Sequence, residues 1–313
     1  MTHSRNYRTL RRLILPALAG GALAALAFAP TFGVEPVQAN VPTQSISAPK
    51  GDAPKADVPK TDVPKADVPK ADVPRPDDVK TGEINEPTPH KEANPSTFTG
   101  TSVISESKTF EHQRFDNTTS NQNSFIGKNK ATITIDSSVF DKTGNTTNDD
   151  NSNFRGQNAV VLGIEGSQTS IKDSNITSNS IGSNAVFATG EGSVINVENT
   201  NIHTKGDSSR GLDATYKGTV NGKNLTITTE GAHSATLATD RGEGTITAEA
   251  AKLTTSGTGS PVIYSTGNIT ANSINGVANK SEIGVVEGKN SITLTNSNVT
   301  GYHDNGFMLY QSF

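Results

Sequence analysis

The chain has 313 residues, of which 32% are hydrophobic and 5% aromatic, and it contains no cysteine and no tryptophan. This hydrophobic fraction lies below that of ordinary globular proteins, so the composition excludes a thick aromatic core and stabilisation by disulfides. The net charge of −4 at pH 7 gives no electrostatic basis for binding nucleic acid. We therefore expect stability to come from repetition of a small structural unit.

Residues 1–39 have the three parts of an export signal. A basic region precedes an apolar stretch over residues 13–29, and the tripeptide Val-Gln-Ala follows. This order predicts cleavage between Ala39 and Asn40. A membrane anchor is the alternative, but the apolar stretch is short and contains glycine and proline. The pair at 11–12 faintly resembles a twin-arginine signal, so the choice between the Sec and twin-arginine routes is left open.

Residues 40–97 are rich in proline and contain five-residue units close to Lys-Ala-Asp-Val-Pro. Most units carry one cation, one anion and one valine, which cannot build a hydrophobic core. Proline removes a backbone donor and restricts the preceding residue to extended conformations. We predict a disordered, extended linker. A stalk that binds a partner is the alternative interpretation.

From Ala131 onward, apolar or small residues recur at positions i, i+2 and i+7, with Thr, Ser and Asn between them. The pattern returns after about 25 residues, which is typical of stacked repeats. Apolar residues two apart indicate strands with one buried face. Two of the sets are Gly218/Val220/Leu225 and Gly267/Ile269/Ile274. The predicted core positions are Ile133, Ile135, Ile171, Ile195, Val197, Val220, Ile246, Ile269, Ile292 and Leu294.

This pattern predicts an all-β fold, a right-handed parallel β-helix of about eight or nine rungs over residues 98–313. Stacked rungs place aliphatic columns inside and ladders of Asn and Thr at the corners. We expect residues 98–130 to form irregular first rungs and residues 141–158 to form a protruding loop. A β-sandwich with regular hairpins is the alternative, because it also contains short, evenly spaced strands.

The export signal, the proline-rich linker and the cysteine-free repeat together resemble the passenger region of a pertactin-like autotransporter. The segment NGFMLYQS at 305–312 is similar to a run in the late passenger rungs of that family. The resemblance implies an adhesin-like surface protein that binds a host-cell or extracellular-matrix component, or itself. It also implies an outer-membrane translocator barrel, whose amphipathic strands this sequence does not contain.

The last apolar run, GFMLYQSF, lacks the polar capping unit with which solenoids end. We therefore expect Phe313 to be the truncation point of a longer autotransporter. The expected location is the cell surface or outer membrane when the chain is joined to a translocator. For the chain as given it is the periplasm or the medium.

Some β-helices are polysaccharide lyases or hydrolases, so a carbohydrate-active enzyme is the second hypothesis. Charged residues cluster within two predicted rungs, namely His203, Lys205, Asp207, Arg210, Asp213, His233, Asp240, Arg241 and Glu243. The candidate acid–base group within this cluster consists of Asp207, Arg210, Asp213 and His233. Charges in such a Gly/Ser-rich corner are usually solvated, and the nucleophile motifs GxSxG and HExxH are absent.

The acidic stretch 148–151 lacks the spacing of a calcium loop. We therefore expect no catalysis, no cofactor and no metal.

Overall fold

The computed structural model describes residues 93–303 and 305–311. The predicted export signal with its cleavage site at Ala39 and Asn40, the linker as far as residue 92, and Phe313 lie outside the described residues. The described part contains 25 strands, a 3-10 helix at Pro95–Thr97 and one α-helix, α1 (Asp149–Arg155). Within these ranges, no helix has both the length and the apolar character that crossing a membrane requires.

The strands have three to five residues each. In chain order they are β1 (Gly100–Ile104), β2 (Lys108–Glu111), β3 (Arg114–Asn117), β4 (Asn123–Gly127), β5 (Thr132–Asp136), β6 (Val139–Lys142), β7 (Val161–Gly163), β8 (Gln168–Lys172), β9 (Asn175–Ser178), β10 (Val186–Thr189), β11 (Val194–Glu198), β12 (Asn201–Thr204), β13 (Leu212–Thr215), β14 (Thr219–Lys223), β15 (Thr226–Thr229), β16 (Leu237–Thr239), β17 (Thr245–Glu249), β18 (Lys252–Thr255), β19 (Ile263–Ser265), β20 (Asn268–Asn272), β21 (Asn275–Ala278), β22 (Gly284–Glu287), β23 (Ser291–Thr295), β24 (Asn298–Gly301) and β25 (Phe307–Tyr310).

Three parallel sheets run the length of the fold. Sheet A has nine strands, β1 and every third strand as far as β25; sheets B and C have eight strands each, beginning with β2 and β3. Each strand pairs with the strand three places later in the chain, so the backbone winds into a parallel β-helix of about eight turns. The predicted all-β parallel β-helix is confirmed. A β-sandwich would instead pair antiparallel strands.

A narrow aliphatic column fills the interior. Strands of sheets B and C bury every second residue, and in sheet B Ile195 pairs with Thr169 in the turn before and with Val220 in the turn after. Ile292 and Leu294, in the last strand of sheet B, are half-buried and pack against the column. The other core positions named from the sequence are at most 1% exposed: Ile133, Ile135, Ile171, Ile195, Val197, Val220, Ile246 and Ile269.

The set built around Val220 begins two residues too early. Val197 pairs with Gly222, and the third inward position of that turn is Ile227 in place of Leu225. Gly222 removes the apolar signal at an inward position. A Cβ at Gly222 would lie 2.6 Å from Cδ1 of Leu225, so the leucine occupies the space that the glycine leaves.

The set built around Ile269 has the same error. Ala248 pairs with Ala271, and Leu253 pairs with Gly276. A glycine again stands at an inward position, and Val262 packs close to it, since its Cγ1 would lie 3.1 Å from a Cβ at Gly276. In both turns a buried glycine occupies an inward position, so the apolar pattern of the sequence predicted a register that is two residues too early.

Hydrogen-bonded ladders hold the corners together. Between sheets B and C, Asn224 Nδ2 donates to Asn199 Oδ1 at 2.8 Å, and Asn199 Nδ2 donates to Asp173 Oδ1 at 3.0 Å. All three residues have positive φ, which Asn and Asp tolerate better than most residues. Between sheets C and A, the backbone N–H of Ser209 donates to Ser234 Oγ at 2.9 Å. Repetition therefore pairs polar groups of one turn with those of the next at these corners.

The first turns are as regular as the later ones, contrary to the expectation for residues 98–130. The strands β1, β2 and β3 pair in register with β4, β5 and β6. Phenylalanines fill the core at this end, and they are Phe110, Phe115, Phe125 and Phe140. At the other end of the described fold, the side chains of β25 are 37% to 76% exposed.

Lys142 is a buried cation on the inward side of sheet C. Its Nζ donates to Thr119 O at 2.9 Å and to Gly144 O at 2.8 Å. Burial lowers the pKa of Lys142 from 10.5 to about 8, because removing an ammonium group from water disfavours its charged form. Between these two pH values the folded protein therefore binds fewer protons than the unfolded chain.

The free energy of unfolding of the protein, compared with that of a Lys142→Met variant, should rise by about 3 kcal/mol between pH 7 and pH 11. The cost of the buried charge is fully present below the lowered pKa of about 8 and disappears as the pH rises to 10.5. Urea unfolding at a series of pH values measures the difference. A Lys172→Met variant is the control, because that ammonium group is half exposed and pairs with Glu198. Parallel pH profiles for the protein and Lys142→Met would contradict the assignment.

Candidate functional site

The inner strands of sheet A, such as β10 and β13, are buried on both faces, unlike those of sheets B and C. In the first turns the outward residues are apolar, and Ile126, Leu162 and Phe187 pack with Phe98 and Ala159 in a second hydrophobic cluster. In later turns the same outward column continues with Asp213, Ala238, Tyr264 and Val285. The outer face of sheet A therefore changes from wholly apolar to a mixture of polar and apolar residues along the fold.

The insertion at residues 141–158 folds against this face. It contains α1, so the protruding loop predicted from its polar composition is wrong. Asn148 caps the start of the helix and Gly156 ends it in the left-handed region. Ser152 is fully buried, and its Oγ donates to Gly182 O at 2.6 Å. These contacts tie the helix to the sheet.

Arg210 is the centre of a buried charged group between α1 and sheet A. Its Nε lies 2.7 Å from Asp240 Oδ2 and 3.8 Å from Asp213 Oδ2, and its Nη1 donates to Asn153 Oδ1 at 2.8 Å. The side chain of Arg210 is 10% exposed, and those of the two carboxylates are 6% exposed or less. One guanidinium therefore links two carboxyl groups of the sheet to the helix.

The two carboxyl groups share this cation where water is largely excluded. Burial raises the pKa of Asp213 well above its ordinary value; the charge of Asp240 adds to the effect and Arg210 opposes it. Burial also raises the pKa of Asp240, again opposed by Arg210. Since two adjacent carboxylates with one cation resist full ionisation, we expect the pair to hold one proton at neutral pH.

Two adjoining pockets lie over this charged group, and together they are called the two-lobed cleft, with lobe 1 and lobe 2. Lobe 1 has a volume of about 550 Å³ and lobe 2 about 360 Å³. The lobes share the lining residues Asn153, Arg210, Asp240 and Tyr264. Lobe 1 is also lined by Phe154, Arg241, Thr266, Glu287 and Asn290. Lobe 2 is also lined by Ser208, His233 and Pro261.

Aromatic and charged side chains fix the walls of lobe 1. Tyr264 Oη donates to Glu287 Oε2 at 2.7 Å, and Tyr310 Oη donates to the same oxygen at 3.0 Å. Burial, with the bond to Glu287, raises the pKa of Tyr264, so its hydroxyl stays a neutral donor. The guanidinium of Arg241 lies 3.7 Å from the ring centroid of Phe154, within the range of a cation–π contact.

The four residues proposed as an acid–base group do not form one site. Arg210 and Asp213 lie together, but Asp213 has no exposed surface. His233 is exposed and lines lobe 2. Asp207 lines neither lobe and stands at an exposed corner, where its Oδ1 accepts from the backbone N–H of Ala232 at 2.7 Å.

The rest of the charged cluster in the sequence is divided between the cleft and the surface. Asp240 lines both lobes, as described above. His203 faces outward from sheet C, with Nε2 2.5 Å from Glu230 Oε1. Lys205 and Glu243 are exposed. Proximity in sequence therefore overstated how many of these side chains meet.

Sequence reasoning missed Tyr264, Glu287 and the helix residues Asn153 and Phe154. Tyr264 shares the outward column of Asp213, two turns later. Correct alignment of the sheet A strands would have found it. Nothing in the sequence pattern places the insertion over this column.

Asp149 and Asp150 belong to the first turn of α1, where negative charge favours the helix dipole. Among the described residues, no three side chains of His, Cys, Asp or Glu converge as a metal site.

Replacing Gly156 with alanine should lower the free energy of unfolding of the insertion by about 2–3 kcal/mol. The position has φ +77, and a Cβ there would lie 2.6 Å from Leu162 Cδ1 and 2.7 Å from Phe187 Cδ1. Hydrogen exchange of the α1 amides measures the effect. Gly190→Ala is the matched control, because it has φ +88 but its Cβ would meet its nearest neighbour at 3.9 Å. Equal losses in the two variants would show that α1 is not packed tightly on sheet A.

No protein-family model, curated protein or solved structure matches this chain.

Proposed function

We propose that the protein is an exported, non-catalytic binding protein, the adhesin-like passenger of an autotransporter similar to pertactin. The parallel β-helix of about eight turns supports this proposal, since the fold gives a long surface built from repeated polar ladders. The proposed location is the cell surface when the passenger is joined to a translocator barrel. The proposed partner is a host-cell or extracellular-matrix component, or a second copy of the chain.

The observation that carries the binding function is the two-lobed cleft above the pair of carboxyl groups of Asp213 and Asp240. The cleft has the size and the mixed aromatic and polar lining of a ligand site. Asp213 is fully buried beneath it, so this carboxyl cannot contact a substrate. An arrangement of this kind favours recognition over acid–base chemistry.

A carbohydrate-active enzyme is the second candidate, and one observation favours it. Asp240 lines both lobes, and burial raises its pKa. A carboxyl group with a raised pKa can act as a general acid. This alternative requires a second group that acts as base or nucleophile at a suitable distance from Asp240.

Adhesion and turnover assays with the purified protein separate the two candidates. We expect saturable binding to host cells or to immobilised matrix components, with no release of reducing ends from neutral or acidic polysaccharides. Cleavage that is abolished by Asp240→Asn, or by Asp213→Ala or Arg210→Ala in correctly folded variants, would overturn the binding proposal. Adhesion without cleavage of any polysaccharide would overturn the enzyme hypothesis.

A further inference from the structure

The ionised groups around the cleft balance one another. Arg210 and Arg241 contribute two cations, and Asp240 and Glu287 contribute two carboxylates. A ligand with a strong net charge would gain from one pair and be repelled by the other. The balance therefore favours a ligand without net charge.

The polar groups of the cleft suit a ligand rich in hydroxyl groups. The carboxylates of Asp240 and Glu287 accept hydrogen bonds, the guanidinium of Arg210 donates them, and the amide of Asn153 can do both. Asp240 Oδ2 contacts Arg210 but has no conventional hydrogen bond among the described residues. Because these groups already hold one another in place, little conformational entropy is lost when a ligand binds.

Tyr264 provides an apolar surface at the junction of the two lobes. Its hydroxyl is tied to Glu287, which restricts rotation of the ring, and the residue lines both lobes. A fixed aromatic ring beside carboxylate and amide groups matches the alternating apolar and hydroxyl faces of a pyranose ring.

The size of the cleft points to more than one sugar unit. Lobes of about 550 and 360 Å³ meet at Arg210, Asp240, Asn153 and Tyr264. Pockets of this size bury most of a small organic ligand.

We propose that the cleft binds a neutral oligosaccharide of at least two sugar units, with Tyr264 at the junction of the lobes and Glu287 in lobe 1. This inference rests on the proposed binding function and names the class of ligand for the same site. Recognition combines packing of a sugar ring on Tyr264 with hydrogen bonds from hydroxyl groups to Glu287 and Asp240.

Isothermal titration calorimetry of the full chain tests this proposal with defined tetrasaccharides. The neutral probes are cellotetraose, maltotetraose, mannotetraose, xylotetraose and chitotetraose; the acidic probe is tetragalacturonate and the basic probe is the glucosamine tetramer. We expect at least one neutral probe to bind with a Kd below about 1 mM. Neither charged probe should bind more tightly than that neutral probe. Tyr264→Ala and Glu287→Gln should each weaken binding by about tenfold or more.

Glu249→Gln is the control, because Glu249 is exposed on the outer face of sheet B, and its binding should be unchanged. Tyr264→Phe is a second variant, in case Tyr264→Ala does not fold. Because it keeps the aromatic ring, it should bind the oligosaccharide more tightly than Tyr264→Ala does. Failure of every neutral probe, preference for a charged probe, or equal binding by the cleft variants would overturn the proposal. Adhesion of the same variants distinguishes the two claims: if Tyr264→Ala adheres normally, only the cleft inference fails, whereas loss of adhesion in every form of the protein refutes the proposed function.

Discussion

Replacing Arg210 with methionine should lower the free energy of unfolding at pH 7 by about 3–5 kcal/mol. The substitution keeps most of the side-chain volume but leaves Asp213 and Asp240 buried without their cation, and it removes the bond to Asn153 on α1. The raised pKa of each carboxyl means that the folded state holds protons that the unfolded chain releases. That contribution is present at low pH and is lost as the pH rises through the folded-state pKa values.

The loss caused by Arg210→Met should therefore shrink at pH 5 and grow towards pH 8. Urea unfolding monitored by circular dichroism measures both values. Adding Asp213→Asn to Arg210→Met should recover part of the loss at pH 7, because the buried site then holds one carboxyl fewer. Arg114→Met is the matched control, since Arg114 pairs with Asp116 on the surface and its loss should cost less than about 1 kcal/mol. If Arg210→Met lowered the free energy of unfolding by less than about 1 kcal/mol, or by the same amount at every pH, the proposed buried ionic group would be contradicted.

Phe140→Ala should lower the free energy of unfolding of the first turns by about 3–5 kcal/mol. The ring is fully buried and stacks on Phe115, with centroids 4.8 Å apart, and it meets Phe125 edge-on at 6.4 Å. The interior of a β-helix is narrow and its strands are held in register on both sides, so the backbone has little freedom to close a cavity.

Each turn of a solenoid contacts only its neighbours, so this loss should appear locally first. Hydrogen exchange should speed up in β3, β6 and β9 before it changes in β18 and β21. Phe307→Ala is the control, because that ring is 43% exposed and contributes little burial. Uniform loss of protection along the whole chain would show that the β-helix unfolds as a single cooperative unit.

The fold followed from the sequence because stacking repeats the same requirement in every turn. The inward position of Ile195 and Ile246 is occupied mostly by apolar residues from turn to turn, and this repetition makes the position visible in a single chain. The predicted register is wrong at Gly222 and Gly276, where an inward position of the β-helix is occupied by a glycine. At Gly222 the apolar signal moved to Leu225, which fills the space from the corner.

The site was only partly predictable for a related reason. Arg210 and Asp213 stand close in sequence, so their clustering was visible. Tyr264 and Glu287 join them from later turns, and only the strand register brings them there. Nor does composition reveal that the polar insertion at 141–158 forms a helix whose Asn153 binds Arg210.

The most direct test of binding without turnover is to measure the chain length of a bound neutral oligosaccharide by mass spectrometry. The protein is incubated with the oligosaccharide at saturating concentration, and binding is followed in the same sample. We predict saturable binding and full recovery of the intact oligosaccharide. Progressive shortening of the ligand that Asp240→Asn abolishes would contradict the account and assign the cleft to an enzyme.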